Sequence, residues 1–427
     1  MNGAWAGDLA RTATLASVGT RGSLTLARAL VRNARANRRE PAGAVAAAWL
    51  PELLVSLGPA AVKAGQLLGT RADLLPPVVT TALASLYEDL PPPPPGTLAA
   101  AFRRDLGVDP SDVLAYWEDA PVAVGSIASV HRAWLHDGTP VAVKVVRPGV
   151  PAMVTADLRI LRRVARLARA TGLAARLPLV EVVDEVCACV GRQTDLRAEA
   201  DACRELGRVL APEAGVEVPG LVDPLCGPSV LTMAYVEKRR THGFVGADLD
   251  AAAMRALLRA LYRMIFVAGV VHCDLHPGNW RRTPAGQVAV LDFGFTARLT
   301  PEDRVSFAQL FYAIWVGDGA ACAQIALRGA QYDAGRTDLV AFEREVTAVV
   351  SPAAGATVRE FSIVRFVGAL FAAMRRHRVR GSPGFVMAIM ALLTLEGVVR
   401  QVDADLDFQA EALPYLFRAS LRKAEAA

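Results

Sequence analysis

The 427-residue chain predicts an α+β fold of two lobes, a small β-rich lobe followed by a large helical lobe, with a helical N-terminal extension. Three observations carry this. Between Pro121 and Val146 two β-rich runs flank Asp137-Gly138, a tight-turn pair that marks a hairpin. Beyond Leu249 the apolar residues recur at helical spacing, broken by a short hairpin through Ala285-Gly286 and the strand of QVAVLDFG. Ahead of both, residues 46–90 are helical in pattern, and Pro91–Pro95 stops them because five prolines cannot continue a helix.

Each element follows in order. Residues 1–45 read as one or two basic amphipathic helices, with Leu26, Leu30 and Val31 on one face and Arg28, Arg32 and Arg35 on another. Two readings stand for them: peripheral contact with an anionic membrane surface, or a helix packed on the body of the protein. The polyproline run is a linker. A short helix covers Gly96–Leu106, followed by strand, small-residue loop and strand over Pro121–Leu135, then the strand Pro140–Val146. Helices run from Met153 to about Leu210, Val230–Val236 is a strand, and Leu249–Val271 is helical. The expected division is 1–45, 46–96, 97–236 and 237–427.

Composition narrows the class. With 53% hydrophobic and 21% charged residues, the chain has ample core material and is not globally disordered. A net charge of +5 is too mild to mark a nucleic-acid binder. The arginines at 159, 162, 163, 166 and 169 read as a solvated helix face. None of the six cysteines forms a CxxC pair or a zinc-ligand cluster, so a reducing cytoplasm is the expected compartment. The longest apolar run, Gly384–Leu395, has 12 residues and suits a buried helix better than a membrane span. The stretch Ala251–Val271 is interrupted by Arg255, Arg259 and Arg263 on one helix face.

Four segments carry chemistry. Lys144 sits mid-strand in VAVKV, on the face opposite Val143 and Val145. A lysine in an apolar strand is costly unless an anion meets it, and phosphate oxygens or a carboxylate would do so. His272-Cys273-Asp274-Leu275-His276-Pro277-Gly278-Asn279 places Asp274 and Asn279 five residues apart on a loop, the spacing H-x-D-x-x-x-x-N. Asp274 can orient or deprotonate a nucleophile, and Asn279 can offer oxygen to Mg²⁺. Asp292, 13 residues on in Leu291-Asp292-Phe293-Gly294, suits a second Mg²⁺ ligand. The order VAVK, HxDxxxxN, DFG marks a protein-kinase-like centre for phosphoryl transfer from ATP. Where a Gly-rich phosphate loop would lie, Ala123, Val124, Gly125, Ser126, Ile127 and Ala128 offer small residues with one glycine, so the loop should be stiff. Lys63 and Gln66, nearly one turn apart in an apolar helix, need polar partners or solvent.

These residues resemble the UbiB/AarF family of atypical protein-kinase-like proteins, known from ubiquinone biosynthesis. The resemblance runs from about Leu57 to Leu406, through LGPAAVKAGQLLGTRADLLP with KxGQ at Lys63–Gln66, PVAVGSIASVHRA, VAVKVVRPGV, DLRAEA, VLTMAYVE, GVVHCDLHPGN and LDFG. It implies that Lys144 contacts the α- and β-phosphates and pairs with Glu199, and that Met233–Val236 forms the hinge that meets adenine. It also implies that Asp274 is the catalytic aspartate, and that Asn279 and Asp292 hold Mg²⁺. Lys63 and Gln66 would reach the active site on helices lying over the cleft where a kinase admits a peptide. The family's ExD motif reads Gln193-Thr194-Asp195 here, its AQ reads Ala128-Ser129, and Gly125 stands for an alanine. The expected function is an ATP- and Mg²⁺-dependent kinase or ATPase acting on a prenyl lipid or small molecule, at the inner face of a membrane or in the cytoplasm. The alternative is a nucleotide-gated scaffold or lipid-binding pseudokinase without turnover.

Overall fold

The structure, a computed structural model, describes residues 2–35, 41–69, 75–84, 86, 92–171, 179–237, 251–328, 330–351, 363–402, 406 and 411–418. It divides into two compact units. One comprises Met1–Arg71, Leu75–Ala200 and Leu221–Tyr235, and the other Ala72–Leu74, Asp201–Gly220 and Val236–Ala427.

The elements of the first part of the chain are helices α1 (Asn2–Arg35), α2 (Ala42–Leu57), α3 (Pro59–Gly69), α4 (Pro77–Ala84), α5 (Thr97–Asp105) and α6 (Pro110–Val113), then strands β1 (Leu114–Trp117), β2 (Ala123–Val124), β3 (Ala128–Leu135) and β4 (Pro140–Val146). Helices α7 (Val150–Ala170), α8 (Leu179–Arg192) and α9 (Leu196–Leu210) follow, and after β5 (Val216–Glu217) comes β6 (Val230–Ala234).

The first unit is built on an antiparallel sheet in the order β1-β3-β4-β6, with β2 also on β3. The expected β3–β4 hairpin is present. Gly138, at φ 84°, donates to the Leu135 carbonyl (2.9 Å), and the Asp137 carboxylate accepts from the Thr139 amide (2.9 Å). One sheet face is closed by α5: Leu98, Ala101 and Phe102 pack on Ala133, Val141, Val143, Val145 and Val230. Phe102 is wholly buried, and truncating such a ring costs about 3–5 kcal/mol. The alternate positions Val130, Arg132, Ala142 and Lys144 are only half-buried on the other face.

The N-terminal helix is packed on the body of this unit. The Arg11 guanidinium grips Asp157 of α7 through Nε (2.6 Å) and Nη2 (2.8 Å) and reaches the Leu57 carbonyl (2.7 Å). Helix α3 packs against α2, α4, α7 and α8. Gly65 marks a close approach in it: a Cβ there would come within 2.6 Å of Leu54 and 2.7 Å of Leu86.

In the second unit, α10 (Ala251–Tyr262) continues into a single π-helical turn, Arg263–Ala268. Strands β7 (Val270–His272), β8 (Trp280–Arg282), β9 (Val288–Val290) and β10 (Thr296–Arg298) follow, then helices α11 (Pro301–Val316), α12 (Gly319–Leu327), α13 (Leu339–Val350), α14 (Ile363–Arg376) and α15 (Pro383–Val402). The helix expected through Val271 ends earlier. Gly269 adopts φ 73°, returns its N–H to the Met264 carbonyl, and Val270–His272 pair with β10 instead. The hairpin through Gly286 joins β8 and β9, and β5 lies parallel to β9.

Tyr262, Phe266, Phe307 and Phe311 form an aromatic cluster, and the apolar run in α15 is largely buried, with Val386, Ala388, Ala391 and Leu395 inaccessible. Among the described residues no helix is long and apolar enough to cross a membrane. All six cysteines are free thiols.

Candidate phosphate and catalytic-loop site

In the first unit Lys144 and Glu199 meet. The β4 alternation turns Lys144 away from the α5 core, and Glu199 stands in the first turn of α9. Nζ donates to both carboxylate oxygens, at 2.8 and 2.9 Å, with 14% of the lysine and 5% of the glutamate side chain exposed. Two short bonds to one carboxylate fix the position of this largely buried ammonium. The turn between β2 and β3 is pinned. The Gly125 amide donates to the Ala128 carbonyl and the Arg147 amide to the Ile127 carbonyl (both 2.8 Å), with Ser126 and Ile127 buried. Gly125 does not adopt positive φ.

Gln66 of α3 donates to the Leu86 carbonyl (3.1 Å). Lys63 lies near α8, where burial pushes the Cys189 thiol up and the Arg192 and Lys63 charges oppose it. At the ExD position, Asp195 is engaged by Arg197 (Nη2 2.8 Å), whose hydrogen bond holds the carboxyl below its ordinary range. Met233 lies on β6 beside Ala142, and Val236 in the second unit accepts from Arg281 (3.4 Å).

In the second unit the loop after β7 gathers Asp274, Asn279 and the segment leading to Asp292. It follows a strand, not the long helix that the sequence suggested. The centrepiece is His272, fully buried. Its Nδ1 accepts from the Asp274 amide (3.2 Å), and its Nε2–H donates to the Leu291 carbonyl (3.1 Å). Burial pushes the imidazole pKa down, so the ring stays neutral with this proton arrangement. Phe293 closes over it edge-to-face at 5.7 Å. The Leu291 amide bonds the Asn279 carbonyl (2.7 Å), so one small network holds all three segments.

Within the loop, the Asn279 amide nitrogen donates to the Asp274 carbonyl (2.9 Å) and carboxylate (3.3 Å). Its amide oxygen is thereby turned away from Asp274. His276 accepts from the Gly278 amide (2.9 Å) and sets its Nε2 3.7 Å from Asp274. Gly278 permits this, because a Cβ there would stand 2.6 Å from the imidazole. Asp292 is an exposed non-glycine residue at φ 52°, with the Gly294 amide on its Oδ1 (3.2 Å).

The donor set, one carboxylate and one amide oxygen, suits a hard cation that keeps waters and takes phosphate oxygens. Among the described residues no three His, Cys, Asp or Glu side chains form a metal cage. His272 and His276 lie within the same motif as Asp274, and their spacing from Asp274 is the sequence signal that points to them.

Comparison with known proteins finds two family matches. A model of the ABC1 atypical kinase-like domain matches residues 85–326, and one of the UbiB helical domain matches residues 346–407. Proteins named "Probable protein kinase UbiB" are 32% identical to this chain. The one from Pseudomonas putida aligns over 398 residues, 89% of this chain and 72% of that protein. The one from Azotobacter vinelandii aligns over 375 residues, 86% and 70%. Among solved structures, the Rv3197–erythromycin complex from Mycobacterium tuberculosis has a similar fold, with TM-score 0.50 at 20% identity over 73% of this chain and 84% of that chain.

Proposed function

The chain belongs to the UbiB family of ABC1 atypical kinase-like proteins, and from that premise we propose an ATP- and Mg²⁺-dependent phosphotransferase or ATPase that acts on or near an isoprenoid lipid rather than on proteins. The Lys144–Glu199 pair is the observation that carries the reading: a buried, pre-set ammonium of this kind is what the phosphates of a nucleotide require. Lys144 and the Ala123–Ala128 turn hold ATP, and Met233 and Val236 meet its base. Asn279 and Asp292 hold Mg²⁺, which when bound neutralises charge on the phosphates. Asp274 orients the acceptor or a water and takes its proton. Lys63 and Gln66 divert the centre from peptide acceptors.

The same reading divides the chain into a basic segment (1–45), a KxGQ extension and linker (46–96), a nucleotide lobe (97–236) and a helical lobe (237–427). Helix α1 presents Arg21, Leu24, Arg28, Val31 and Arg32 outward, a set suited to peripheral contact with an anionic bilayer.

Gln193, standing where the family has a glutamate, favours a second reading: a nucleotide-gated scaffold without turnover. Phosphate release and transfer from Mg·ATP, measured with and without prenyl-lipid vesicles, separates the two. Turnover abolished by Asp274→Asn supports the enzyme. Tight ATP binding with no turnover under any condition supports the scaffold.

A further inference from the structure

The sheet face that carries Lys144 holds a second cation. Arg132 of β3 is the register partner of Ala142, two residues along β4 from Lys144. Alternation puts both cations on the face that α5 leaves uncovered, separated by about 7 Å along the strand direction. The Arg132 guanidinium carbon lies 4.5 Å from the ring centre of Tyr235 and 4.8 Å from that of Trp134. Trp134 in turn lies 5.4 Å from Tyr116, its register partner on β1. A row of Tyr116, Trp134, Arg132 and Tyr235 therefore runs from the edge strand to the residue just after β6. The Tyr235 amide also bonds the Pro140 carbonyl (3.1 Å), so backbone and ring are both fixed to the sheet.

A planar, weakly hydrated guanidinium stacks on aromatic faces in a way an ammonium cannot. We propose that Arg132 is a positioning residue for the base of the bound nucleotide: by clamping Tyr235 it sets the Met233–Tyr235 backbone at a fixed distance from Lys144. The inference rests on the nucleotide reading given above. It adds a residue that neither the phosphate pair nor the catalytic loop uses. Arg132 does not touch the base; it acts through Tyr235.

The test is equilibrium binding of Mg·ATP and Mg·CTP to the full chain, unaltered and as Arg132→Met and Arg132→Lys. The unaltered chain favours ATP. In Arg132→Met, ATP affinity falls about tenfold, the effect of losing two stacking contacts, while CTP affinity barely changes. Arg132→Lys recovers only part of the preference. Equal loss of both nucleotides would make Arg132 merely structural and overturn the proposal, as would an unchanged ATP preference in Arg132→Met or the lack of one in the unaltered chain. No ATP binding by the unaltered chain would bring down the nucleotide reading itself, and this inference with it.

Discussion

Lys144 and Glu199, 55 residues apart in sequence, share two hydrogen bonds with 14% and 5% of their side chains exposed. Glu199→Leu removes both of these hydrogen bonds from a largely buried ammonium and is expected to cost about 3 kcal/mol in urea unfolding. The double variant Lys144→Met/Glu199→Leu regains most of that stability and none of the nucleotide binding. A double variant as unstable as the sum of its singles would show that the pair is not the coupled unit described.

His272 ties the Asp274 amide to the Leu291 carbonyl, and no apolar residue can make both bonds. His272→Phe leaves two backbone groups without this partner, a loss of about 1–3 kcal/mol. Because the ring fixes Asp274 and the segment leading to Asp292 rather than holding ATP, turnover should fall far more than the affinity for Mg²⁺-free ATP. An equal fall in both would contradict that placement.

Helix α1 depends on Arg11. Asp157 keeps its guanidinium pKa above the ordinary value through their hydrogen bond, and the pair is mostly sheltered from water. Arg11→Ala should cost about 1.5–3 kcal/mol and raise amide hydrogen exchange across residues 2–35 selectively. Unchanged protection of α1 would mean that its packing on α2 suffices.

Asp105 gives the first unit an acid limit. Burial pushes its carboxyl pKa up, but hydrogen bonds from Arg104 (2.8 Å), the Ser229 hydroxyl and the Ser229 amide (2.7 Å) outweigh it, so the pKa lies below 3.8. On acidification the unfolded chain therefore binds this proton first. The stabilisation is complete above about pH 4 and disappears as pH falls through the folded value. The stability gap between the unaltered chain and Asp105→Asn, followed by urea unfolding from pH 5 downward, should narrow only in that window. A gap independent of pH would remove Asp105 from the account.

Local signals were legible in the sequence because their physics is local. The β4 alternation set the face of Lys144, Asp137-Gly138 set the hairpin, and the spacing in HCDLHPGN set Asp274 against Asn279. Glu199 was reached only through family resemblance, since nothing in α9 itself marks it as the partner of a strand lysine. The end of α10 was misjudged because Val270–His272 become a strand by pairing with Thr296–Arg298, a partner no local pattern announces. Arg11–Asp157, 146 residues apart, and the stacked row through Arg132 were invisible for the same reason.

The central claim of the proposed function is that Lys144 and Asp292 are each needed for Mg·ATP binding. Thermal stabilisation by ATP and ADP, with and without Mg²⁺, tests it most directly in the unaltered chain, Lys144→Ala and Asp292→Asn. The account predicts a Mg²⁺-dependent rise in melting temperature for the unaltered chain that is lost in both variants. Tight Mg·ATP binding retained by Asp292→Asn, or no stabilisation of the unaltered chain by any nucleotide, would contradict it.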